Sequence, residues 1–223
     1  MEKKTAKLES PTAPAFTSAK PAAKPRTRLT LQERTPAARN EIFAAAAKVV
    51  GEVGYVDATV SRITAAAGIA QGTFYLYFAS RQTLFDELLL HVGRDVMDFI
   101  GGKIVDAKDV FDMEERALRA FFDYSSRNPG FFRILHEAEA AAPVAFQKHF
   151  KLLSKYYVAS LKRGLISGDI RTFDQDELET VAYVLMAARD YLYMRFAQSK
   201  PKGRKMPEAV VQTYMKFLRN GLK

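Results

Sequence analysis

The sequence predicts an all-α fold, with an N-terminal three-helix helix-turn-helix domain and a larger C-terminal helical domain. Beyond position 35, apolar residues recur at the three- and four-residue spacing of amphipathic helices. No run of alternating β-branched residues, the pattern typical of strands, interrupts them. The 223 residues, 48% of them hydrophobic, are sufficient to bury a sizeable core.

The first 34 residues differ from the rest in composition. They hold eight Lys or Arg against three Glu, so they carry more than half of the chain's net charge of +9. They are rich in Pro, Ala, Ser, Thr and Lys, which predicts a disordered basic tail over residues 1–34. Two roles stay open: a solvated tail that aids solubility, or an arm whose Arg26, Arg28 and Arg34 follow a phosphate backbone or enter a minor groove.

The first helix is expected to begin at about Pro36, a favoured first-turn residue. Gly51 and Gly54 are expected to end it. Its apolar stripe consists of Ile42, Phe43, Ala46, Val49, Val50 and Val53.

Two short helices follow. One spans residues 60–67 and starts after Thr59, whose hydroxyl can cap free backbone N–H groups. Gly68 suits a left-handed turn, and the second short helix spans residues 71–78. Two helices of about two turns joined around a glycine are the signature of a helix-turn-helix, which places a DNA-binding domain at residues 35–80.

The second short helix is expected to have two different faces. Phe74 and Phe78 are four residues apart and are predicted to pack into the core. The other face offers a carboxamide, hydroxyls, a flat aromatic surface and a glycine that permits close approach: Gln71, Gly72, Thr73, Tyr75 and Tyr77. Such groups bond adenine edges, phosphates and thymine methyls, as a recognition helix in a major groove requires. The alternative is that Tyr75 and Tyr77 only pack against the next helix.

Residues 36–90 resemble the tetracycline-repressor (TetR) family of transcriptional regulators. The resemblance is carried by "GYVDATV", by "ITAAAGIAQGTFYLYF" through the turn, and by "SRQTLF" at the start of the fourth helix. The resemblance implies that Thr59 contacts phosphate. It also implies that the exposed face of the second short helix faces DNA, with Gln71, Gly72, Thr73, Tyr75 and Tyr77. Arg81 stands where the family usually has a phosphate-binding lysine and keeps its charge, whereas Thr64 stands where alanine is more usual. Arg62 is either a further phosphate contact or a solvated charge.

Residues 81–223 are predicted to form the effector-binding and dimerisation domain that the resemblance implies. Ser80 is expected to cap a connecting helix over residues 81–100, and "GGKIVDAKDVF" is expected to break the chain between the domains. Further helices are predicted at residues 112–126, 129–140, 143–167, 175–199 and 207–221.

The last two helices carry apolar stripes that are predicted to form a four-helix bundle with a second subunit. The proposed interface residues are Leu178, Val181, Leu185, Leu192, Val211, Tyr214 and Leu218. The alternative is that both stripes pack only within the subunit.

An effector pocket is expected between the fourth helix and the later ones, with Phe122, His136 and Tyr183 as its candidate lining residues. His and Tyr would place polar tips on an apolar wall, as ligand pockets need. The aromatic residues favour an apolar or aromatic effector. His136 is equally compatible with a role in the core.

Other functions have little support in the sequence. There is no cysteine, no HExxH among the three histidines, no GxSxG and no glycine-rich phosphate loop, so neither a metal, nor a cofactor, nor enzymatic activity is expected. No apolar run is long enough to cross a membrane, and a cytoplasmic location is expected. The prediction is a homodimeric, sequence-specific regulator, a repressor that its effector releases from a palindromic double-stranded DNA operator. The alternative is a nonspecific DNA-binding or oligomerising helical protein.

Overall fold

The computed structural model describes residues 36–197 and 205–222, and within these ranges every regular element is helical. The all-α prediction is therefore confirmed. The predicted tail at 1–34, and the end of the helix predicted at 175–199, lie outside the described residues. The helices are α1 (Pro36–Asp57), α2 (Val60–Ala67), α3 (Gln71–Tyr77), α4 (Arg81–Ile104), α5 (Val110–Arg127), α6 (Gly130–Ala141), α7 (Pro143–Ser167), α8 (Leu178–Phe196, after a 3₁₀ turn at Gln175–Glu177) and α9 (Glu208–Leu222).

The end of α1 is set by one of the two glycines expected to end it. Gly54 has φ 81° and ψ 169°, a backbone conformation that interrupts the helix. Gly51, by contrast, lies within the helix. Val53 is 36% exposed, so the apolar stripe ends before it, while the other five residues of the stripe are buried.

Gly51 has a different role, because it lies where α1 crosses α6. A Cβ atom on Gly51 would stand 2.6 Å from the Cα of Gly130, the first residue of α6. The two helices therefore meet backbone to backbone, and neither position has room for a side chain. This crossing joins the helix-turn-helix segment to the helices that follow it.

We expect Gly51→Ala to destabilise the protein by about 1–3 kcal/mol, since the added methyl group forces two backbones apart. Urea unfolding measures the effect. Gly101→Ala is the matched control, because nothing lies within 4 Å of that position on α4. It should stabilise by about 0.5–1 kcal/mol, as glycine is unfavourable inside a helix. Equal stability of the Gly51 variant and the wild type would contradict the close backbone contact between Gly51 and Gly130.

The connecting helix is longer than predicted, because α4 continues through Gly101 and Gly102 to Ile104, and the chain turns only in the later part of the predicted segment 101–111. A glycine costs a helix only about 1 kcal/mol, and packing of α4 against α5 and α7 offsets that cost. The chain turns instead before Asp109, whose carboxylate accepts the Asp112 N–H at 2.7 Å and begins α5.

The helix-turn-helix segment and the later helices share one core. The described residues belong to a single compact unit, in which α1 packs against α6, α2 and α4. Close approach of α4 and α7 is permitted by Gly93, where a Cβ would lie 2.5 Å from the Nδ1 atom of buried His149. The shared core means that the predicted boundary at residue 80 separates two functions and not two cores. That DNA binding lies before this boundary and effector binding after it stays a prediction.

Candidate nucleic-acid interface and ligand cavities

The turn between α2 and α3 has the geometry that the sequence predicts. Thr59 caps α2, since its Oγ1 accepts the Arg62 N–H at 3.3 Å. Gly68 ends α2 in the left-handed conformation, with φ 67° and ψ 24°. The hydroxyl of Thr64, a departure from the family pattern, donates to the Ser61 carbonyl at 3.1 Å. These local bonds fix the direction in which α3 leaves the turn.

Two phenylalanines anchor α3 on the core, as predicted. Phe74 and Phe78 are 0% and 1% exposed, and their ring centroids lie 5.6 Å apart. The Phe78 ring also meets the Phe43 ring of α1 edge to face at 5.2 Å. The opposite side of α3 is thereby held toward solvent.

The exposed side of α3 brings together most of the predicted DNA-facing residues. Gln71 and Gly72 are exposed in its first turn, and nothing lies within 4 Å of the position that a Cβ on Gly72 would take. Tyr75 is 54% exposed, whereas Thr73 is half-buried. A backbone can approach this surface closely at the glycine, with an amide and a phenol on either side.

The structure corrects the prediction for Tyr77. Its ring is half-buried against the core, and its hydroxyl is covered, with no hydrogen-bond partner among the described residues. The reason is its position at the last turn of α3, where it packs inward beside Phe78. Tyr77 therefore does not present its hydroxyl to solvent in this conformation.

The two predicted arginines hold the segment that leads into α2. Arg62 donates from Nη1 to the Asp57 carbonyl at 3.3 Å, and Arg81 donates from Nη1 to the Val56 carbonyl at 3.2 Å. The Arg81 guanidinium also lies over the Phe85 ring, 5.4 Å from its centroid. Both side chains are exposed, and a guanidinium has five donors, so each keeps N–H groups for a phosphate.

The structure brings together two of the three predicted effector-contacting residues. His136 and Tyr183 line a cavity of about 300 Å³ with Phe132, Phe150 and Asp190. The His136 Nε2 lies 3.8 Å from a carboxylate oxygen of Asp190. Burial raises the pKa of Asp190, and His136 opposes that shift.

Phe122 lies elsewhere, which corrects the third assignment. It is 1% exposed, and its ring packs 5.5 Å from that of Tyr193. It borders a different cleft, one that does not include His136 or Tyr183. Its side of α5 faces α8 rather than the predicted pocket.

A larger cleft that the sequence analysis did not predict lies between α4, α5 and α7. Its volume is about 510 Å³, and its apolar wall includes Met97, Ile100, Ile104, Met113 and Leu153. Its polar lining includes Glu114 and Arg189. A signal existed in the sequence, because Arg189 falls within the apolar stripe of α8, four residues from both Leu185 and Tyr193.

Glu114 and Arg189 form a buried ion pair. Arg189 Nη2 donates to Glu114 Oε2 at 2.7 Å, and the two side chains are 7% and 2% exposed. The Tyr214 hydroxyl lies 3.4 Å from the same carboxylate oxygen. Burial is the largest single influence on the pKa of Arg189 and lowers it, but the Glu114 carboxylate together with Tyr157 and Tyr214 raises that pKa above its usual range, so the guanidinium stays charged.

The predicted dimer interface needs correction. Six of its seven residues, all except Leu192, are buried in the subunit's own core, because α8 and α9 turn those stripes toward the other helices. A different stripe of α8 faces solvent, at positions spaced by three and four residues: Val184, Ala187, Tyr191 and Met194. The predicted side chains are thus unavailable to a partner in this conformation.

Two further findings concern the described part of the chain. None of its helices is long and apolar enough to cross a membrane. Within the same ranges, no three or more His, Cys, Asp or Glu residues come together in a way that could hold a metal ion.

A capped short helix, a left-handed glycine turn and a second helix with one buried and one solvated face form a helix-turn-helix, the motif with which many transcriptional regulators bind DNA. Residues 42–88 match the model of bacterial regulatory proteins of the tetR family. The helix-turn-helix segment of this chain is therefore similar to the DNA-binding domain of tetR-family regulators. The predicted helix-turn-helix and the predicted resemblance to the tetR family are confirmed over these residues.

Relatives among known proteins agree with this placement. Nucleoid occlusion factor SlmA of Mannheimia succiniciproducens is 26% identical over 175 residues, which cover 75% of this chain and 78% of that protein. The uncharacterized HTH-type transcriptional regulator YvdT of Bacillus subtilis is 35% identical over 74 residues, 33% of this chain and 38% of YvdT. The first relative is named as a nucleoid occlusion factor and the second as a transcriptional regulator.

Solved structures share the fold. The fatty acid degradation regulator FadR from Bacillus halodurans superposes with a TM-score of 0.68 at 21% identity, covering 85% of this chain and 98% of that one. The regulator FadR from Bacillus subtilis, in complex with stearoyl-CoA, gives a TM-score of 0.69 at 18% identity, covering 83% of this chain and 100% of that one. At these identities the likeness concerns the fold.

Proposed function

We propose that this regulator is a dimeric repressor that reads a palindromic operator with α3 and leaves it when a small apolar or aromatic effector binds. The observation that carries the proposal is the division of α3 into two faces. Phe74 is fully buried, while Gln71, Gly72 and Tyr75 are exposed beside the capped start of α2. Folding stability alone does not require that the Gln71 amide and the Tyr75 phenol flank Gly72 on the solvent-exposed face of the helix.

We test the reading of DNA with Tyr75→Ala. Because Tyr75 is 54% exposed, its truncation should lower the free energy of unfolding by under about 1 kcal/mol while weakening binding to a selected duplex by about 10-fold. Fluorescence anisotropy at several salt concentrations separates sequence-specific from backbone binding. Val56→Ala, at an apolar residue that is 84% exposed outside α3, is the control. Equal binding of specific and scrambled duplexes by the wild type would instead support the nonspecific alternative.

We assign DNA binding and effector binding to the same two parts of the chain as the sequence predicts. Residues 35–80 bind DNA, residues 81–223 bind the effector and the partner subunit, and α4 connects the two. An effector that binds a conformation with more widely spaced recognition helices would shift the population toward it and release the operator. The predicted tail at 1–34 would add phosphate contacts through its arginines.

The effector proposal rests on space within the helical part. Cavities of about 300 and 510 Å³ have apolar and aromatic walls with few polar groups, which suits small-molecule ligands. The Bacillus subtilis FadR that shares this fold is described in complex with stearoyl-CoA, so the fold is compatible with a ligand that carries a long apolar chain. We propose a ligand of apolar or aromatic character for this chain as well.

The dimer is proposed to form through the exposed stripe of α8. Tyr191 is 68% exposed and lies between Ala187 and Met194 on that stripe. We expect sedimentation velocity to show a wild-type dimer and a monomeric Tyr191→Lys variant, because a buried unpaired ammonium opposes association. Ile166→Lys, at a 78% exposed residue of α7, should remain dimeric. A monomeric wild type would contradict the proposal.

A further inference from the structure

The cleft between α4, α5 and α7 contains two hydrogen-bond donors without acceptors. The Tyr157 hydroxyl and the Arg189 Nε are both buried, and neither has a hydrogen-bond partner among the described residues. Tyr157 is 9% exposed and Arg189 is 6% exposed. Buried donors of this kind normally have partners, because an unpaired buried donor destabilises the fold.

Both donors belong to the lining of the same cleft. Tyr157 and Arg189 border the 510 Å³ cleft and also a smaller cavity of about 50 Å³. The Arg189 guanidinium carbon lies over the Tyr157 ring, 4.9 Å from its centroid. A ligand that fills the cleft therefore touches both side chains, and it reaches the two covered donor atoms when the side chains beside them shift. Burial raises the pKa of Tyr157 well above its usual value, so its hydroxyl keeps its proton and remains a donor.

The charges around the two donors are already balanced. Arg189 is neutralised by Glu114, to which its Nη2 donates at 2.7 Å. The other charged residues of the cleft are Asp98 and Arg163, one acidic and one basic, and both are exposed. An anionic group placed beside Arg189 would meet the Glu114 carboxylate as well. The site thus calls for an acceptor without a charge.

We infer that this cleft binds an apolar molecule through an uncharged carbonyl group that accepts hydrogen bonds from Tyr157 and Arg189. The apolar body lies along the wall formed by Met97, Ile100 and Leu153. This inference rests on the proposed effector-controlled function and assigns its ligand class and its cavity. The cavity beside His136 and Tyr183 is not the one that recognises the carbonyl.

The test uses three probes of matched size with the full-length protein and no DNA: 4-butylacetophenone, its hydrocarbon analogue 1-butyl-4-isopropylbenzene, and 4-butylbenzoate. Equilibrium dialysis gives their affinities. We expect the ketone to bind about 5–10-fold more tightly than the hydrocarbon, as one or two net hydrogen bonds imply, and more tightly than the carboxylate. Equal binding of ketone and hydrocarbon, tightest binding of the carboxylate, or no binding of the ketone would each overturn the inference.

Tyr157→Phe locates the interaction. It should reduce the ketone affinity about five-fold and leave the hydrocarbon affinity unchanged. Because it removes a hydroxyl that has no protein acceptor, the ligand-free variant should unfold at a temperature no lower than the wild type. Tyr124→Phe, the same change at a half-buried tyrosine of α5 outside the cleft, should change neither affinity. An unchanged ketone affinity in Tyr157→Phe would overturn the assignment.

The ligand-binding test contains no DNA, so its result does not depend on whether the proposed repressor function is correct. Ketone binding through Tyr157 by a protein that fails to select a DNA sequence would uphold the site and reject the repressor. Selection of an operator by a protein that does not bind the ketone would uphold the DNA-reading function and reject this ligand class.

Discussion

Replacing Phe74 by alanine is expected to destabilise the protein by about 3–5 kcal/mol. Its ring is fully buried and packs against Phe78. The ring joins α3 to the core, so its removal leaves a cavity at the base of the recognition helix. Urea unfolding monitored by circular dichroism measures the loss.

Tyr75→Ala is the matched comparison for this prediction. The two aromatic residues are adjacent on α3, and their rings meet edge to face at 5.3 Å, yet Tyr75 is 54% exposed. Its truncation should cost under about 1 kcal/mol, as expected for an exposed side chain. Equal destabilisation by the two variants would mean that Tyr75 is part of the core, and it would remove the basis for its role in reading DNA.

The second large effect is expected at the buried ion pair. Arg189→Met should destabilise the protein by about 3–5 kcal/mol, because the Glu114 carboxylate stays in the core without its cation. Among the described residues, the hydrogen-bonding group that the carboxylate keeps is the Tyr214 hydroxyl, at 3.4 Å. Chemical denaturation provides the measurement, with the slope of the transition used to check that unfolding remains two-state.

A double variant identifies the cause of this loss. Adding Glu114→Gln to Arg189→Met removes the buried charge and should recover about half of the lost stability. Asp123→Asn with Arg127→Met, applied to an exposed pair on α5, should change stability by under about 1 kcal/mol. If the double variant at the buried pair were less stable than Arg189→Met alone, the uncompensated carboxylate would not be the source of the effect.

Local signals in the sequence were sufficient to predict the helix-turn-helix. The Thr59 cap, the left-handed Gly68 and the buried pair Phe74 and Phe78 each depend on neighbours within a few residues, so spacing alone specifies them. The Tyr77 hydroxyl was misassigned because its environment depends on packing beyond its own helix. Gly51 was misread as a helix end, since its close approach to Gly130 joins residues far apart in the sequence.

The C-terminal half shows why periodicity alone does not identify a partner. An apolar stripe such as that of Leu178, Val181 and Leu185 looks the same whether it faces another subunit or the subunit's own core. The prediction for Phe122 is wrong for a related reason: Phe122 and His136 both lie on amphipathic helices, but α5 and α6 direct the two side chains to different cavities. Charged residues within apolar stripes, here Glu114 and Arg189, are the sequence signal that indicates a buried ion pair.

Selection of bound duplexes from a random-sequence DNA pool tests the central claim most directly. It is performed near physiological salt with the full chain and with a version that starts at Arg34. We predict enrichment of a palindrome whose half-sites lie about one helical turn apart, since two copies of α3 must enter successive major grooves. The shortened version should select the same sequence. No enrichment, with binding that disappears as salt rises, would contradict the account and leave nonspecific binding to the phosphate backbone as the explanation.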